Sequence, residues 1–470
     1  MRPAPVILFA CFLSGCVVGP NYKRPVVTPP PSYRGQQGAA EQASIADVPW
    51  WELFQDETLR SLIKTAVANN NDLRVAAARV EQARQFAIQA HSEYLPAVGY
   101  EAGISVGTNE SLGVIAPSGG KQQGTVTVAL AAAWEPDVWG RIRRSNEYAL
   151  ARYLETQQGR RGVLLSVVGT VARAYFELLG LDLQLDVARR NVRAFEETLN
   201  LFQQRLDGGK ASRLETARAQ AAVAMTASVI PDLERRIAIQ ENEIRIVLGS
   251  APGPIARKGT LLEQTIPPEV PAGLPSSLLE RRPDVLAAES AVRAANAQIG
   301  IATAAFFPRI GLTALLGRAS SPLDDFLAGR TSVWSTAATT LGPLYAGGSL
   351  RARKRETIAF WEETRIQYEQ TVLAAFRDVS NALITREKLE AVRGRQQEAV
   401  RAYQEAVEVA QQRYNAGKSS YFEVLDAQQQ LFPAENALAQ TERDRRLALV
   451  QLYQVLGGGW KLTDAAWSGP

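Results

Sequence analysis

The chain has 470 residues, and its 52 Lys and Arg residues against 48 Asp and Glu residues leave a formal net charge of +4. So small an excess excludes the concentrated basic surface of a nucleic-acid-binding protein. The single histidine, His91, and two cysteines supply too few ligands and nucleophiles for a metal cluster or for Ser/His or Cys/His chemistry, so no enzyme, metal or cofactor is expected.

The N-terminus predicts a lipoprotein signal. Arg2 precedes an apolar stretch at residues 6–13 that is too short to span a bilayer, and Leu13-Ser14-Gly15-Cys16 is typical of a lipoprotein signal-peptidase site. We expect residues 1–15 to be removed and Cys16 to carry lipid, the alternative being an ordinary secretory signal. Residues 16–48 would be the lipidated N-terminus and a Pro-rich tether, which is predicted to be extended between residues 20 and 46 and to pack no core.

The rest of the chain contains one pattern written twice. Residues 69–98 align with residues 281–310 without a gap, and further on a constant offset of 208 pairs Arg205 with Arg413 and Gly209 with Gly417. This register predicts an internal tandem duplication, with a first repeat at residues 49–260, a second at 261–460 and a C-terminal tail at 461–470.

Each repeat contains a predicted strand hairpin, at about residues 94–136 and 307–343. Apolar residues alternate with small or polar ones over the roughly 9–11 residues that a tilted membrane strand needs, although residues 333–341 show this only weakly. A soluble hairpin packed on a core is the alternative. No run of about 18 apolar residues follows residue 16, so no transmembrane helix is expected. Four strands cannot close a barrel within one chain, so membrane strands would require an oligomer.

Long helices follow the hairpins. In the first repeat, apolar residues recur at an average spacing of about 3.5, which is typical of a coiled coil and predicts a helix over about residues 138–206. This seam consists of Leu164, Val167, Val171, Ala174, Leu178, Leu181, Leu185, Ala188, Val192, Phe195, Leu199, Phe202 and Leu206. Ten of the thirteen positions 208 residues later are also apolar, the exceptions being Arg386, Arg393 and Gln396.

The turns after these helices have matching signals. Gly209 and Gly417 lie where a helix C-terminal glycine belongs, and Ser212 with Glu215 and Ser420 with Glu423 predict capping boxes for the next helices. Each repeat should therefore end its long helix in a helical hairpin.

Motifs in order along the chain add a family resemblance. They are Leu13-Ser-Gly-Cys16, Gly19-Pro-Asn-Tyr-Lys-Arg-Pro25, Trp50-Trp-Glu-Leu-Phe54, Trp139-Gly-Arg141, Arg281-Arg-Pro-Asp284, Arg413-Tyr414-x-x-Gly417, Leu425-Asp-Ala-Gln428 and Leu456-Gly-Gly-Gly-Trp460. Together they resemble the outer-membrane factor family, specifically the lipoprotein channels of tripartite resistance-nodulation-division (RND) efflux pumps. The resemblance implies an α+β membrane protein, a homotrimer whose four strands per chain form a 12-stranded outer-membrane β-barrel, continued by a long coiled-coil α-helical barrel in the periplasm. It implies a periplasmic adaptor (membrane fusion protein) and an inner-membrane RND pump as partners.

The resemblance also implies site residues at the hairpin tips. The predicted periplasmic gate comprises Arg413, Tyr414, Phe422 and Asp426, with first-repeat counterparts Arg205, Leu206, Leu214 and Arg218. We expect Arg413 and Asp426 to face one another and to hold neighbouring helices closed, while Tyr414 and Phe422 narrow the bore. The alternative is that these are surface charges and seam residues.

The turn residues match the tips where adaptor hairpins dock in the family. They are Gly209, Lys210, Ala211, Ser212, Gly417, Lys418, Ser419 and Ser420. The alternative is that the same residues only form the turn and cap the helix that follows it. The leading interpretation of the chain is a passive exit duct for small molecules. The alternatives are an exit duct for protein secretion and a non-conducting coiled-coil lipoprotein.

Overall fold

The computed structural model describes residues 17–36, 44–107, 123–264, 271–320, 327, 331–463 and 466–468. The predicted signal peptide and Cys16 lie outside the described residues. The described part of the chain is mainly helical and contains one four-stranded sheet, which confirms the α+β fold class.

The chain divides into two compact units. Unit 1 contains Met1–Pro25, Val80–Thr156 and Ala288–Tyr368, and unit 2 contains Val26–Arg79, Gln157–Ala287 and Glu369–Pro470. Each unit takes segments from both predicted repeats, so the sequence repeats and the compact units are different divisions of the chain.

The sheet belongs to unit 1 and is antiparallel, in the order β1-β2-β3-β4. Its strands are β1 (Ala97–Gly107), β2 (Gln123–Trp134), β3 (Arg309–Ser320) and β4 (Ser332–Leu341), so both predicted hairpins are confirmed, including the weakly patterned fourth strand. The register places Tyr100 opposite Leu130, Leu130 opposite Leu316 and Leu316 opposite Trp334. Directly opposed residues share a face, so these four form one apolar row across the sheet. They are 85%, 56%, 63% and 74% exposed.

The helices of the two repeats match in length. The described α-helices are α1 (Trp50–Leu53), α2 (Glu57–Asn69), α3 (Asn71–Ser92), α4 (Arg141–Asp207), α5 (Arg213–Ala227), α6 (Val229–Val247), α7 (Pro275–Arg281), α8 (Pro283–Ala304), α9 (Ser349–Asn415) and α10 (Tyr421–Val455). The two long helices, α4 and α9, have 67 residues each, and positions 141 and 349, like positions 207 and 415, differ by the predicted 208. The same offset relates the start of α5 and the end of α6 to the two ends of α10.

The predicted seam of α4 is a buried core. Eleven of its thirteen residues are buried, the two half-buried ones being Leu199 and Leu206 near the helix end. Among the described residues, α4 alone includes a stretch long and apolar enough to cross a membrane, and 67% of that stretch is buried within the chain. Its apolar character is that of a helix packed in a protein core.

Arg393 interrupts the seam of α9 because it serves a buried carboxylate in unit 2. Glu442 on α10 is only 5% exposed and accepts hydrogen bonds from Arg393, Arg445 (2.8 Å) and Arg446 (2.6 Å). Burial by itself raises the pKa of Glu442, and the hydrogen bonds from Arg393 and Arg446 outweigh it, so the net pKa is lowered. Arg393 therefore interrupts the apolar seam at a polar contact between α9 and α10.

The prediction that residues 20–46 pack no core is wrong for the described part of that stretch. Tyr33 is 3% exposed in unit 2, and Ser44 caps a short 3-10 helix, Ile45–Asp47, whose Ile45 and Ala46 are buried. Residues 17–25 belong to unit 1 and contain no helix or strand. A Pro-rich composition indicates that a segment has no core of its own, but it does not prevent packing against helices elsewhere in the chain.

Candidate functional site

Two matching turns form the candidate site in unit 2. After α4, the Gly209 amide donates to Leu206 O (2.9 Å) and the Lys210 amide to Arg205 O (2.7 Å). After α9, Gly417 and Lys418 make the same bonds to the residues 208 positions later, at 3.0 and 2.9 Å. Gly209 and Gly417 have φ values of 69° and 68°, a left-handed conformation that favours glycine. The predicted C-terminal glycines are confirmed.

The two predicted capping boxes differ. Ser212 accepts from the Glu215 amide (3.3 Å) and Glu215 accepts from the Ser212 amide (2.7 Å), so the first box is confirmed. The second is wrong, because the Ser420 side chain makes no cap hydrogen bond. The carboxylate of Glu423 instead lies 3.6 Å from Arg413 Nε. The Glu423 carboxylate, which would complete the capping box, is paired with Arg413.

An aromatic cluster packs behind the turns. The Phe202 ring lies 3.9 Å from that of Tyr421 and 6.1 Å from that of Tyr414, and the rings of Tyr414 and Tyr421 are 5.6 Å apart. Phe202 and Tyr421 are buried, and burial raises the pKa of Tyr421 to about 12. Sequence reasoning missed Tyr421. Its repeat counterpart is Arg213, and this exchange of an arginine for an aromatic residue was the available signal.

Arginines of the first repeat lie over two aromatic residues of the second repeat that are predicted to belong to the gate. The Arg205 guanidinium is 4.5 Å from the centre of the Tyr414 ring, and that of Arg218 is 5.7 Å from the centre of the Phe422 ring. Such cation–π contacts are worth ~0.5–1 kcal/mol when exposed and more when desolvated. Phe422 is 59% exposed, as is Leu214 at 61%, so these apolar side chains are available for contact with another molecule. The structure thus links the two tips through cation–π pairs.

Arg413 does not pair with Asp426 within one chain. The carboxylate nearest Arg413 belongs to Glu423, and Asp426 is exposed and forms no ion pair with any residue that the structure describes. Within the hairpin Arg413 lies beside Glu423, and the expected facing of Arg413 and Asp426 stays a prediction. A pair between neighbouring chains stays a prediction.

The predicted docking residues differ in accessibility. Lys210 and Lys418 are exposed, as are Gly209, Gly417, Ser212 and Ser420. Ala211 is half-buried against the aromatic cluster, and Ser419 is also half-buried. The lysines are the side chains best placed to report on docking, since a bulky residue at position 211 would also disturb the packing behind the turn.

The described residues contain no group of three or more His, Cys, Asp or Glu side chains that could hold a metal ion. His91 lies in the last turn of α3 with its ring 5.3 Å from the Tyr94 ring.

Comparisons with known proteins cover almost the whole chain. Residues 62–250 and 274–458 match the sequence model of the family described as outer membrane efflux protein. The chain is 34% identical over 459 residues to the solvent efflux pump outer membrane protein SrpC of Pseudomonas putida, covering 96% of this chain and 97% of that protein. It is 30% identical over 467 residues to the cation efflux system protein CusC of Escherichia coli, covering 98% and 100%. Its fold is similar to the open state of the MtrE outer membrane channel of Neisseria gonorrhoeae, with a TM-score of 0.86, 30% identity, and 95% and 99% of the two chains covered.

Proposed function

Since the chain belongs to the outer membrane efflux protein family, we propose that it is the passive outer-membrane exit duct of a tripartite RND efflux pump. It carries small toxic compounds from the periplasm and the inner-membrane pump to the exterior. The inner-membrane pump supplies the energy for export, and the duct is the passage through which the compounds leave.

The apolar row across the sheet carries this proposal. Tyr100, Leu130, Leu316 and Trp334 are all more than half exposed and lie on one face. A contiguous exposed apolar face needs an apolar partner, and alternation with the opposite face fits strands that separate lipid from a lumen. Because the family consists of outer membrane proteins, we take membrane lipid to be the partner of this face.

The edges of the sheet support a trimer. Among the residues that the structure describes, β1 and β4 each have one neighbouring strand, so the other edge of each offers backbone groups that the described sheet does not pair. Such edges cost several kcal/mol per group in hydrocarbon, which requires closure. Three chains with four strands each close a 12-stranded barrel, which is wider than the roughly eight-stranded barrels that side chains fill. The long helices continue the duct as an α-helical barrel in the periplasm.

At the tips, the gate consists of Tyr414 and Phe422 restrained by Arg205 and Arg218, with Leu214 and Asp426 exposed beside them. Arg413 and Asp426 of neighbouring chains complete the closed state. The turns at Gly209–Ser212 and Gly417–Ser420 receive the hairpins of a periplasmic adaptor. Cys16 carries lipid, which anchors the N-terminus in the outer membrane.

Two curated relatives differ in the substrates that their names give, solvents for one and cations for the other. A wide duct that serves pumps with such different substrates is weakly selective, so the pump determines what is exported. Secretion of proteins is the second candidate within this architecture. A pump gene of the RND class beside the gene for this chain would favour efflux.

The decisive experiment compares two neighbouring leucines of β3. Leu316 belongs to the apolar row and Leu315 points to the opposite face, since successive strand residues alternate. Leu316→Asp should abolish membrane insertion, conductance in planar bilayers and rescue of drug efflux in a deletion strain, whereas Leu315→Asp should insert and conduct. Equal behaviour of the two variants would contradict the membrane role of the row. A wild-type protein that inserts without conducting would support a structural lipoprotein instead.

A further inference from the structure

Four cationic side chains crowd the start of α9 in unit 1. They are Arg351, Arg353, Lys354 and Arg355, termed the basic run. The three arginines are exposed and the lysine is half-buried. Among the residues that the structure describes, none forms an ion pair or a side-chain hydrogen bond with any of the four, and the next residue, Glu356, is itself exposed. The described part of the chain therefore leaves four neighbouring positive charges without an anion.

The start of α9 gains no stability from these charges. The helix dipole places partial positive charge at this end, which disfavours cations, and the first turn of α9 contains no acidic residue. Arg351 and Arg355 are four residues apart on one face of the helix, where like charges repel. Both effects destabilise the first turns of α9, and an anion from another molecule would offset them.

The first repeat shows that the fold does not require the basic run. At the offset of 208, the last three residues of the run correspond to Ser145, Asn146 and Glu147 of α4. The two helices nevertheless have the same 67 residues. The three additional cations are therefore a property of the second repeat that folding of the helix does not explain.

The arginines that begin α4 also differ from the basic run, because they have acidic partners. Arg141 Nε lies 2.9 Å from the carboxylate of Glu135, and Arg143 Nε lies 3.0 Å from that of Asp137. Carboxylates of unit 1 thus neutralise arginines at the start of the first long helix. The described residues provide no equivalent for the second long helix, which leaves its cations free for an anion from outside the chain.

Exposed apolar side chains precede the basic run. Leu341 at the end of β4 is 81% exposed, and in the link to α9 Leu344 is fully exposed and Tyr345 is 91% exposed. Gly347 and Gly348, with φ values of 58° and 84°, then turn the chain into the helix. Leucine and tyrosine followed directly by arginines are typical of a segment at a membrane surface, where apolar groups contact acyl chains and cations contact phosphates.

The basic run also lies at the right distance from the sheet for such a contact. Leu341 pairs with Arg309, so β4 ends level with the start of β3, and a Cβ on Gly342 would lie 2.9 Å from Pro308 Cα. Residues 349–355 span about 9 Å of helix at ~1.5 Å per residue. The headgroup layer on each side of a bilayer is about 5–8 Å thick. The run therefore occupies a depth comparable to that of the headgroups.

We propose that the basic run binds the anionic headgroup of a phospholipid, such as phosphatidylglycerol, in the leaflet at which β4 ends. Its guanidinium groups donate to phosphate oxygens, while Leu344 and Tyr345 contact the acyl chains. The bound lipid neutralises the start of α9 and sets the depth of the sheet in the membrane. This inference rests on the proposed outer-membrane location of the strands.

The variant that tests the proposal takes its residues from the first repeat. Arg353→Ser with Lys354→Asn and Arg355→Glu gives α9 the residues that α4 has at the same positions. The matched control is Arg190→Ser with Arg193→Asn and Arg236→Glu, at exposed positions of unit 2. Both triple variants neutralise two cations and reverse a third, so they change the net charge of the protein equally.

Lipid binding is measured by native mass spectrometry of the purified full-length protein in non-ionic detergent, with added phosphatidylglycerol or phosphatidylcholine. Each Lys or Arg near an anionic membrane surface strengthens attachment roughly fivefold. Wild type and control should therefore bind phosphatidylglycerol at least about tenfold more tightly than phosphatidylcholine, and the first-repeat variant should lose most of this preference. Arg353→Gln with Arg355→Gln replaces that variant if it does not assemble. A wild type without the preference, or a variant that keeps it, would overturn the inference.

Two further measurements distinguish lipid from other anions. Inorganic phosphate in excess should not displace phosphatidylglycerol, because it lacks acyl chains, and displacement would indicate a site for free phosphate and overturn the inference. The selectivity of single channels for cations over anions should be the same in the first-repeat variant and the control. Altered selectivity with unchanged lipid binding would place the basic run in the water-filled passage and also overturn it.

The behaviour of the wild type separates this inference from the proposed function on which it rests. A wild type that does not insert into planar bilayers would overturn both. A wild type that inserts and conducts ions, yet binds the two phospholipids equally, would overturn only the role of the basic run.

Discussion

Replacing Arg205 by Gln should make the channel open more often. The Arg205 guanidinium lies 4.5 Å from the centre of the Tyr414 ring, so the substitution removes a contact that ties Tyr414 to the first repeat. A partly exposed cation–π contact is worth ~0.5–1 kcal/mol. Three copies acting on one opening would contribute ~1.5–3 kcal/mol, which corresponds to a change in the ratio of open to closed states between about tenfold and a hundredfold.

Single-channel recording in planar bilayers measures this ratio directly. Tyr414→Phe keeps the ring and should behave like the wild type, whereas Tyr414→Leu removes it and should match Arg205→Gln. Arg193→Gln is the charge control, because Arg193 is exposed on the same helix. The reasoning fails if Arg205→Gln and Arg193→Gln give the same open fraction, or if Tyr414→Phe and Tyr414→Leu cannot be distinguished.

Three other outcomes are expected. Asp426→Ala should raise single-channel conductance at low salt, where exposed charges are least screened. Reversing the charge of both exposed turn lysines, Lys210→Glu with Lys418→Glu, should abolish drug efflux while oligomer assembly stays normal. Glu442→Gln should lower the free energy of unfolding by ~3–5 kcal/mol at pH 7, because it leaves the buried guanidinium of Arg446 without its anion. Since the pKa of Glu442 is lowered in the folded state, that stabilisation is complete above the ordinary glutamate pKa of about 4.3 and is lost as the pH falls through the lowered value.

Each of these predictions has a result that would contradict it, and the last two have a matched control. Unchanged conductance of Asp426→Ala at low salt would remove that residue from the gate. Arg236→Glu, at another exposed site of unit 2, should leave efflux intact, and equal loss in this control would indicate a general effect of charge. Glu398→Gln breaks only an exposed pair with Arg395 and should cost at most ~1 kcal/mol. A denaturation midpoint for Glu442→Gln equal to that of Glu398→Gln would show that the buried cluster does not stabilise the fold.

Helix ends and strands could be predicted because local chemistry determines them. Gly209 and Gly417 adopt a left-handed backbone conformation that residues with a Cβ disfavour. Because a fixed offset relates the two repeats, the same turn signal occurs twice in the sequence. The fourth strand was hard to recognise because all ten of its side chains are exposed within one chain. Because this strand buries no side chain in a core of its own chain, its sequence does not have to alternate between apolar and polar residues.

Contacts between distant segments could not be predicted in the same way. The offset that pairs Arg205 with Arg413 compares the repeats by position, and it does not reveal that Arg205 lies over Tyr414. Likewise, Glu423 follows Ser420 at capping-box spacing, yet its carboxylate pairs with Arg413. The segment at residues 17–25 is another such case, because Arg144, which donates to the carbonyl oxygens of Val18 and Gly19, lies more than a hundred positions away in sequence.

The equal lengths of α4 and α9 limit how this protein can evolve. Inserting or deleting one residue in either helix would rotate everything beyond it by about 100° and advance it by about 1.5 Å, turning the buried stripe towards water. Inserting seven residues would restore the stripe to within about 20° and extend the helix by about 10 Å. In the proposed duct, the length of both helices should therefore change together, in steps such as seven or eleven residues that bring the stripe back to its partner helices. Each such step would alter the distance between membrane and tips by a fixed increment.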